Sequence, residues 1–327
     1  MASLVIDQKQ EDDGSYSHGR LRKAATLLRT LPGAIRWEAY EPFGRAAPRA
    51  VIGEAPDGKR SVLSIEGRGP ELCWLLPPSG VKPGHGLLMA PYIRPGLGTR
   101  VLDLGCGPLA FHAVLAAQRG AARVVAVDVE ESAVASSRRS ASAYPSVQVI
   151  HSDLTAALGR ERFDYVVFHP PMLPETETST SNTERSYHVG GATGREVLDR
   201  GLEQAAAYLN PGGVLVIGQF EFLGVERAFG PYPTTLERLE LLGLRIEAVH
   251  HHRVRMTAPL RGVLPRLRRL FPDYRFERAG SETLHRFTVL LASSVAFDGD
   301  IPVGYRFSEA HRKRRASSAR TVRASTP

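Results

Sequence analysis

Residues 100–107 read Arg-Val-Leu-Asp-Leu-Gly-Cys-Gly, and residues 168–172 read Phe-His-Pro-Pro-Met. No other pair of segments restricts the possible folds of this chain as much. Val101, Leu102 and Leu104 form an apolar run of strand length that Gly105 and Gly107 bring to a turn. A continuous apolar run fits a parallel strand buried on both faces. The segment from Leu109 to Gln118 is rich in Ala and Leu and predicts a helix. Strand, glycine turn and helix in that order place a ligand at the carboxyl end of the strand. The glycines alone fit any strand-to-helix turn, so the argument needs the residues that follow.

A second strand is expected over Ala122–Val129, ending on Asp128. Asp128 lies 21 positions after Gly107. An acid about 20 residues past a glycine turn, at the end of the second strand, is placed to accept ribose hydroxyls. Val129 follows it on the same rim. A third strand, Val147–Ile150, leads into Asp153 and Leu154. There a carboxylate meets an adenine amino group and an apolar side chain meets the ring. An ordinary turn or N-cap aspartate reads equally well at 153.

Asp103-Leu104-Gly105-Cys106-Gly107, then Asp128, then Asp153, then His169-Pro170-Pro171, resembles the class I S-adenosylmethionine-dependent methyltransferases. Within these it is similar to the group with an Asn-Pro-Pro-aromatic loop, which includes the glutamine methyltransferases of translation release factors. Gly190-Gly191-Ala192-Thr193-Gly194-Arg195-Glu196-Val197-Leu198 and Leu209-Asn210-Pro211-Gly212-Gly213 carry the likeness further, over roughly residues 85–295. The resemblance implies S-adenosylmethionine as cofactor, with Asp103, Gly105, Cys106, Gly107, Asp128, Val129, Asp153, Leu154 and His169 around it. Three departures stand out. Pro108 and Leu109 replace a small residue and the third glycine. His169 replaces asparagine, and Met172 replaces the aromatic.

The remaining strands are expected at Phe163–Phe168, Gly213–Phe220, Leu244–His250 and His285–Ala292, with a helix from Gly194 to Leu209. Strands alternating with helices imply α/β architecture. With the resemblance this becomes a seven-stranded, mostly parallel, Rossmann-like methyltransferase sheet, its final pair adding an antiparallel edge strand. Before residue 97 the texture changes. One amphipathic helix is expected over residues 20–30, then β-like runs at Ala34–Ala39, Ala50–Gly53, Ser61–Ile65 and Glu71–Leu76. Residues 1–96 thus read as a small α+β accessory domain, 97–295 as the methyltransferase domain, and 296–327 as a basic, disordered tail. Residues 83–94 lead into the catalytic domain, where they can cover the cofactor.

Composition fits a cytoplasmic enzyme. No apolar stretch reaches the roughly 18 residues of a membrane span, and the first ten residues lack a signal-peptide pattern. Two cysteines, Cys73 and Cys106, with Cys106 inside the glycine turn, do not suggest a structural disulfide. No Cys/His spacing suggests a metal. The net charge is +8, but residues 311–327 hold six basic residues and no acid, leaving +2 for the rest. Residues 253–284 form a second arginine-rich stretch, read either as an anion-binding insertion or as an amphipathic helix around Leu264–Leu270. His250, His251 and His252 precede it and alternate faces along a strand, so they do not converge on a metal.

The chemistry centres on residues 169–172. A sulfonium methyl is a strong electrophile, so catalysis is chiefly alignment of a lone pair, worth about 7–11 kcal/mol. Pro170 and Pro171 carry no N–H, which leaves nearby carbonyls free to orient a substrate. Neutral His169 accepts a hydrogen bond, and its ordinary pKa near 6.5 also lets it take a proton. It is a positioner, a base, or both. Met172 offers a flexible thioether where the family offers a ring, which disfavours a flat base. Glu175 and Glu177 suit a cationic amine or guanidinium, or are simply a polar surface loop; Tyr187 and His188 follow as candidate pocket residues. The first expectation is therefore methylation of nitrogen on a small cationic metabolite, an amino acid or natural-product intermediate. The alternative is RNA or a ribosome-associated protein of the glutamine type, and a third is a noncatalytic cofactor-binding module. RNA is not favoured as a partner, no membrane partner is expected, and a homodimer is left open.

Overall fold

The computed structural model describes residues 3–5, 36–54, 61–65, 72–76, 81–175 and 188–294. The expected helix at 20–30, Glu177, Tyr187 and the basic tail lie outside the described residues. The chain forms two compact units, Met1–His169 and Pro170–Pro327.

The first unit opens with an antiparallel sheet in the order β1 (Ser3–Val5), β2 (Arg36–Ala39), β3 (Ala50–Glu54), β4 (Ser61–Ile65) and β5 (Leu72–Leu76). β2 to β5 are the short runs expected from the sequence; β1 was not expected. Val62, Leu63 and Trp74 are fully buried beneath it. Trp74 ties this sheet to the rest of the unit: its Nε1–H donates to the Phe111 carbonyl at 3.1 Å, and the two rings lie 4.7 Å apart. Residues 83–94 form two short turns of helix, α1 (Gly86–Met89) and a 3₁₀ turn at Ala90–Tyr92. Leu87, Leu88, Met89 and Ile93 are buried there. The Arg119 guanidinium fastens the segment by donating to the Ala90 and Ile93 carbonyls.

A parallel sheet follows, in the order β9 (Phe163–Phe168), β6 (Arg100–Leu104), β7 (Arg123–Asp128) and β8 (Val147–His151). The helices α2 (Phe111–Gln118) and α3 (Glu131–Ser140) make the crossovers. β6, β7 and β9 are mostly apolar on both faces, as parallel strands joined by helices are, and β8 closes the edge with Gln148 and His151 exposed. The chain runs outward from β6 to β8 and then returns to β9 on the other side of β6. That reversal is a topological switch point, where the carboxyl ends of neighbouring strands leave a crevice for ligands. Leu104 pairs with Phe168, Leu104 with Val127, and Asp128 with His151, so the four carboxyl ends lie level.

The second unit contains α4 (Glu196–Tyr208), β10 (Leu209–Phe220), α5 (Thr235–Leu241), β11 (Leu244–Arg255), α6 (Ala258–Leu270), β12 (Glu277–Ala279) and β13 (Glu282–Ser294). Two expectations need correction here. β13 is not an edge strand: it pairs antiparallel with β10 on one side and β11 on the other. Its residues from Phe287 to Ser293 are buried without interruption, which suits an interior strand. The arginine-rich stretch is not a long loop. β11 continues to Arg255 because Val254 and Met256 point inward while Arg253 and Arg255 point out, keeping a strand period of two. α6 then buries Leu260 and Leu267 and exposes Arg261, Arg268 and Arg269, the amphipathic-helix reading. Among the described residues, eight strands follow the N-terminal sheet: the seven expected and the short β12. The α/β class stands, with a small antiparallel sheet in front. No helix among the described residues is long and apolar enough to cross a membrane.

Candidate active site

The glycine turn is held from below by β7. The N–H groups of Gly105 and Cys106 both donate to the Val127 carbonyl, at 2.9 and 2.8 Å. The next residue along β7, Asp128, completes the support. Its Oδ2 accepts from the Gly107 N–H at 2.8 Å and its Oδ1 from the Glu130 N–H at 3.0 Å. The spacing of 21 residues seen in the sequence is thus a direct bond. Gly107 has φ +60°, a left-handed conformation suited to glycine, and a Cβ built there meets nothing within 4 Å. The turn therefore presents open space above its backbone.

Asp128 is 8% exposed, and burial raises its carboxyl above the ordinary range. The carboxylate thus accepts from backbone N–H groups on both the glycine turn and the start of α3, and carboxylate oxygens have further lone pairs to offer. Beyond Asp128 the rim changes character. Val129 is 54% exposed, unusual for an apolar side chain beside a buried carboxylate. Asp153 is exposed and Leu154 buried, with Leu154 at φ +49°. A paired-acceptor carboxylate, an open glycine turn and an exposed apolar rim together fit a nucleoside with a charged tail. The absent third glycine is accounted for as well. Leu109 is buried, and the left-handed position falls on Ala110, with φ +44°. The Cys106 thiol is buried and its pKa raised well above normal by that burial, which leaves it protonated and unreactive.

His169 follows the end of β9, next to the end of β6. It is half-buried, and the His112 ring packs against it edge-on, with centroids 5.8 Å apart and planes at 64°. His112 was not singled out by the sequence. It sits in α2 among Ala, Val and Leu, and the only signal was one titratable side chain in a largely apolar helix. Asp103, at the end of β6, is fully buried. Its Oδ2 accepts from the Ala113 N–H at 2.9 Å, while Oδ1 lies 3.9 Å from His112 Nδ1 and has no hydrogen-bond partner. Burial pushes the Asp103 carboxyl up to about 7 and the His112 imidazole down to about 4.

The loop that continues from His169 belongs to the second unit. Pro170 is buried, Pro171 half-buried and Met172 only 3% exposed. The N–H groups of Met172 and Leu173 both donate to the His188 carbonyl, at 3.0 and 2.7 Å. The Gly190 N–H donates to Leu173 at 2.8 Å and the Glu175 N–H to Gly191 at 2.9 Å. The glycines explain the Gly190–Gly194 stretch. A Cβ at Gly190 would stand 2.4 Å from the Pro171 carbonyl oxygen, and one at Gly194 2.3 Å from that of Met172. Only glycine lets this segment buttress the Pro-Pro loop so closely. Glu175 and His188 are exposed. Among the described residues, no cluster of three metal-ligating side chains occurs.

Comparison with known proteins agrees with this geometry. A family model described as "Methyltransferase small domain" matches residues 80–240. A Methanocaldococcus jannaschii protein named "Putative protein N5-glutamine methyltransferase" is 30% identical over 154 residues, covering 46% of this chain and 69% of its own length. Release factor glutamine methyltransferase of Geobacter sulfurreducens is 33% identical over 124 residues, 36% of this chain and 44% of that one. Ribosomal RNA small subunit methyltransferase C of Erwinia tasmaniensis is 27% identical over 189 residues, 56% of this chain and 45% of that one. The chain spans a little under half the length of these last two relatives. With S-adenosylmethionine as its cofactor, the chain belongs to the methyltransferase small-domain family of S-adenosylmethionine-dependent methyltransferases.

Proposed function

We propose that the chain methylates a side-chain amide nitrogen of a protein glutamine, with residues 97–295 as the catalytic domain and 1–96 as its accessory domain. One observation carries this reading. His169, the hydrogen-bond acceptor of the His-Pro-Pro loop, stands at the switch point level with the cofactor-binding ends of β6, β7 and β8. The relatives support the macromolecular alternative of the sequence reading over the small cationic metabolite expected first. The two relatives described above with 30% identity or more are named for glutamine, while a ribosomal RNA small subunit methyltransferase C of Cronobacter sakazakii is also 30% identical.

The cofactor, when bound, supplies an electrophilic methyl on a sulfonium and leaves as the neutral thioether. The protein's part is to fix both partners. Asp128 would accept the two ribose hydroxyls. Gly105–Gly107 would let the backbone approach closely, Val129 and Leu154 would flank the base, and Asp153 would accept its amino group. A ring nitrogen of neutral His169 accepts one N–H of the incoming amide, which turns the nitrogen lone pair toward the methyl carbon. Methylation of the amide nitrogen releases one of its N–H protons. His169 is in place to receive it. Pro170 and Pro171 add no N–H that would compete for the same acceptors. Glu175, Glu177, Tyr187 and His188 lie on the segment that continues from this loop and are assigned to the acceptor's surroundings.

A second reading, methylation of a nucleobase amine in ribosomal RNA, draws on the relative whose match extends over more of this chain than the others reported. The test is incubation of the purified chain with methyl-labelled S-adenosylmethionine and, separately, a glutamine-containing release-factor peptide, bulk ribosomal RNA and an amino-acid pool. Label on the peptide, located by mass spectrometry on an amide nitrogen, is the expected result. Label confined to RNA selects the second reading, and label confined to the amino-acid pool overturns both.

A further inference from the structure

We propose that His112 is a positioning residue for His169, and that Asp103 and Gly86 hold His112 so that its ring edge fixes the orientation of the His169 ring. The inference rests on His169 being the acceptor at the reaction centre. His169 itself stands where the resembling group has asparagine.

The geometry runs as a column through the first unit. His112 is 5% exposed and packs edge-on against His169 with centroids 5.8 Å apart. An edge-to-face contact places the positive rim of one ring on the negative face of the other, a preferred arrangement that resists rotation. On its far side, His112 Nε2 lies 3.4 Å from the Gly86 carbonyl oxygen. A carbonyl can only accept, so this contact selects the tautomer with hydrogen on Nε2 and leaves a lone pair on Nδ1. That lone pair faces Asp103 Oδ1 at 3.9 Å, a fully buried oxygen with no partner. The other Asp103 oxygen is already committed to the Ala113 N–H. A protonated Oδ1 is the form that suits a facing lone pair, and burial raises Asp103 to about 7 while lowering His112 to about 4. Asp128 and the Cys106 thiol flank Asp103; the Asp128 charge adds to the effect of burial, raising Asp103 further. His112 therefore meets His169 as a neutral ring with one defined tautomer.

The space around the column is close-fitting. A Cβ at position 86 would stand 3.1 Å from His112 Nε2, so glycine at 86 leaves room for the ring and little more. A ring held in this way has one orientation to offer its neighbour.

The experiment uses the full chain labelled with ¹⁵N-histidine, with S-adenosylmethionine and no acceptor. Long-range ¹H–¹⁵N spectra report tautomer and titration for each imidazole, and His169→Asn assigns the His169 signals. His112→Leu keeps volume and removes the ring edge. In that variant the two His169 nitrogen shifts should move toward one another and the titration midpoint should change. In a separate assay with acceptor present, kcat should fall about tenfold to a hundredfold, the scale of a small misalignment, with KM for S-adenosylmethionine unchanged. His112→Phe keeps a ring edge and should retain most of the His169 signature. Should His112→Leu fail to fold, Gly86→Ala displaces the same ring from outside and should shift the His169 signals in the same sense. Unchanged His169 shifts and midpoint in His112→Leu, or in Gly86→Ala where it replaces that variant, overturn the proposal. The spectra need no acceptor, so they stand whether or not the glutamine reading does.

Discussion

Removing the Asp128 carboxylate should separate cofactor binding from folding, and the structure gives the scale of both effects. In Asp128→Ala the Gly107 and Glu130 N–H groups lose acceptors at 2.8 and 3.0 Å. A buried donor left unsatisfied costs about 1–3 kcal/mol. The turn opens onto free space above Gly107, so water can reach part of it, and stability should fall by about that amount once rather than twice. Cofactor affinity suffers separately. Hydrogen bonds to a charged acceptor contribute about 1.5–3 kcal/mol, so losing the ribose contacts should weaken S-adenosylmethionine about 10- to 150-fold. Asp128→Asn keeps the shape and one carbonyl oxygen, and should fall between wild type and alanine. Burial holds this carboxyl above the ordinary range, so wild-type affinity should also drop on acidification before an ordinary aspartate would titrate. Isothermal titration calorimetry, with a thermal melt of each variant, measures all three. A folded Asp128→Ala protein that binds S-adenosylmethionine with wild-type affinity refutes the site.

Asp103 offers a test of sign. Its folded carboxyl is raised to about 7, so its contribution to stability is full below the ordinary aspartate range and is lost as pH rises toward 7. His112, lowered to about 4, acts in the opposite sense over an overlapping window. Urea unfolding of wild type against Asp103→Asn isolates the acid: the variant should gain stability relative to wild type between pH 5 and pH 8, and a constant difference contradicts the burial argument. His169→Asn retains a side-chain hydrogen-bond acceptor and should keep turnover of an amide within about tenfold, whereas His169→Ala retains none and should lose about 10²-fold, the scale of lost alignment; equal rates for both variants exclude the positioning role. Gly194→Ala forces a Cβ to 2.3 Å from the Met172 carbonyl and should cut turnover sharply while leaving S-adenosylmethionine affinity intact; unimpaired turnover shows that the loop's buttress is dispensable.

The strands were legible because their cues are local. Apolar runs ended by glycine, an acid or the His-Pro-Pro loop set β6, β7, β8 and β9 to within a residue or two, and the Gly107–Asp128 spacing became a bond of 2.8 Å. The place of β13 was not legible, since an antiparallel strand between β10 and β11 is set by pairing between segments far apart in sequence. The expected strand stopped at His250, although the alternation runs on through Val254 and Met256. His112 was missed for a related reason: 57 residues separate it from His169, and only the parallel pairing of β6 with β9 brings the two rings together. The compensation for the missing third glycine, a left-handed Ala110, leaves no mark in the sequence because alanine rarely takes that conformation.

The central claim is that this chain moves a methyl group from S-adenosylmethionine to a nitrogen held by His169. Its most direct test is mass spectrometry of a release-factor peptide and of ribosomal RNA after incubation with the chain and methyl-labelled cofactor, run beside His169→Ala. The account predicts S-adenosylhomocysteine together with a single labelled methyl on a glutamine amide, lost in the variant. Methyl transfer that persists undiminished in His169→Ala, or a protein that binds the cofactor and labels only small molecules, contradicts it.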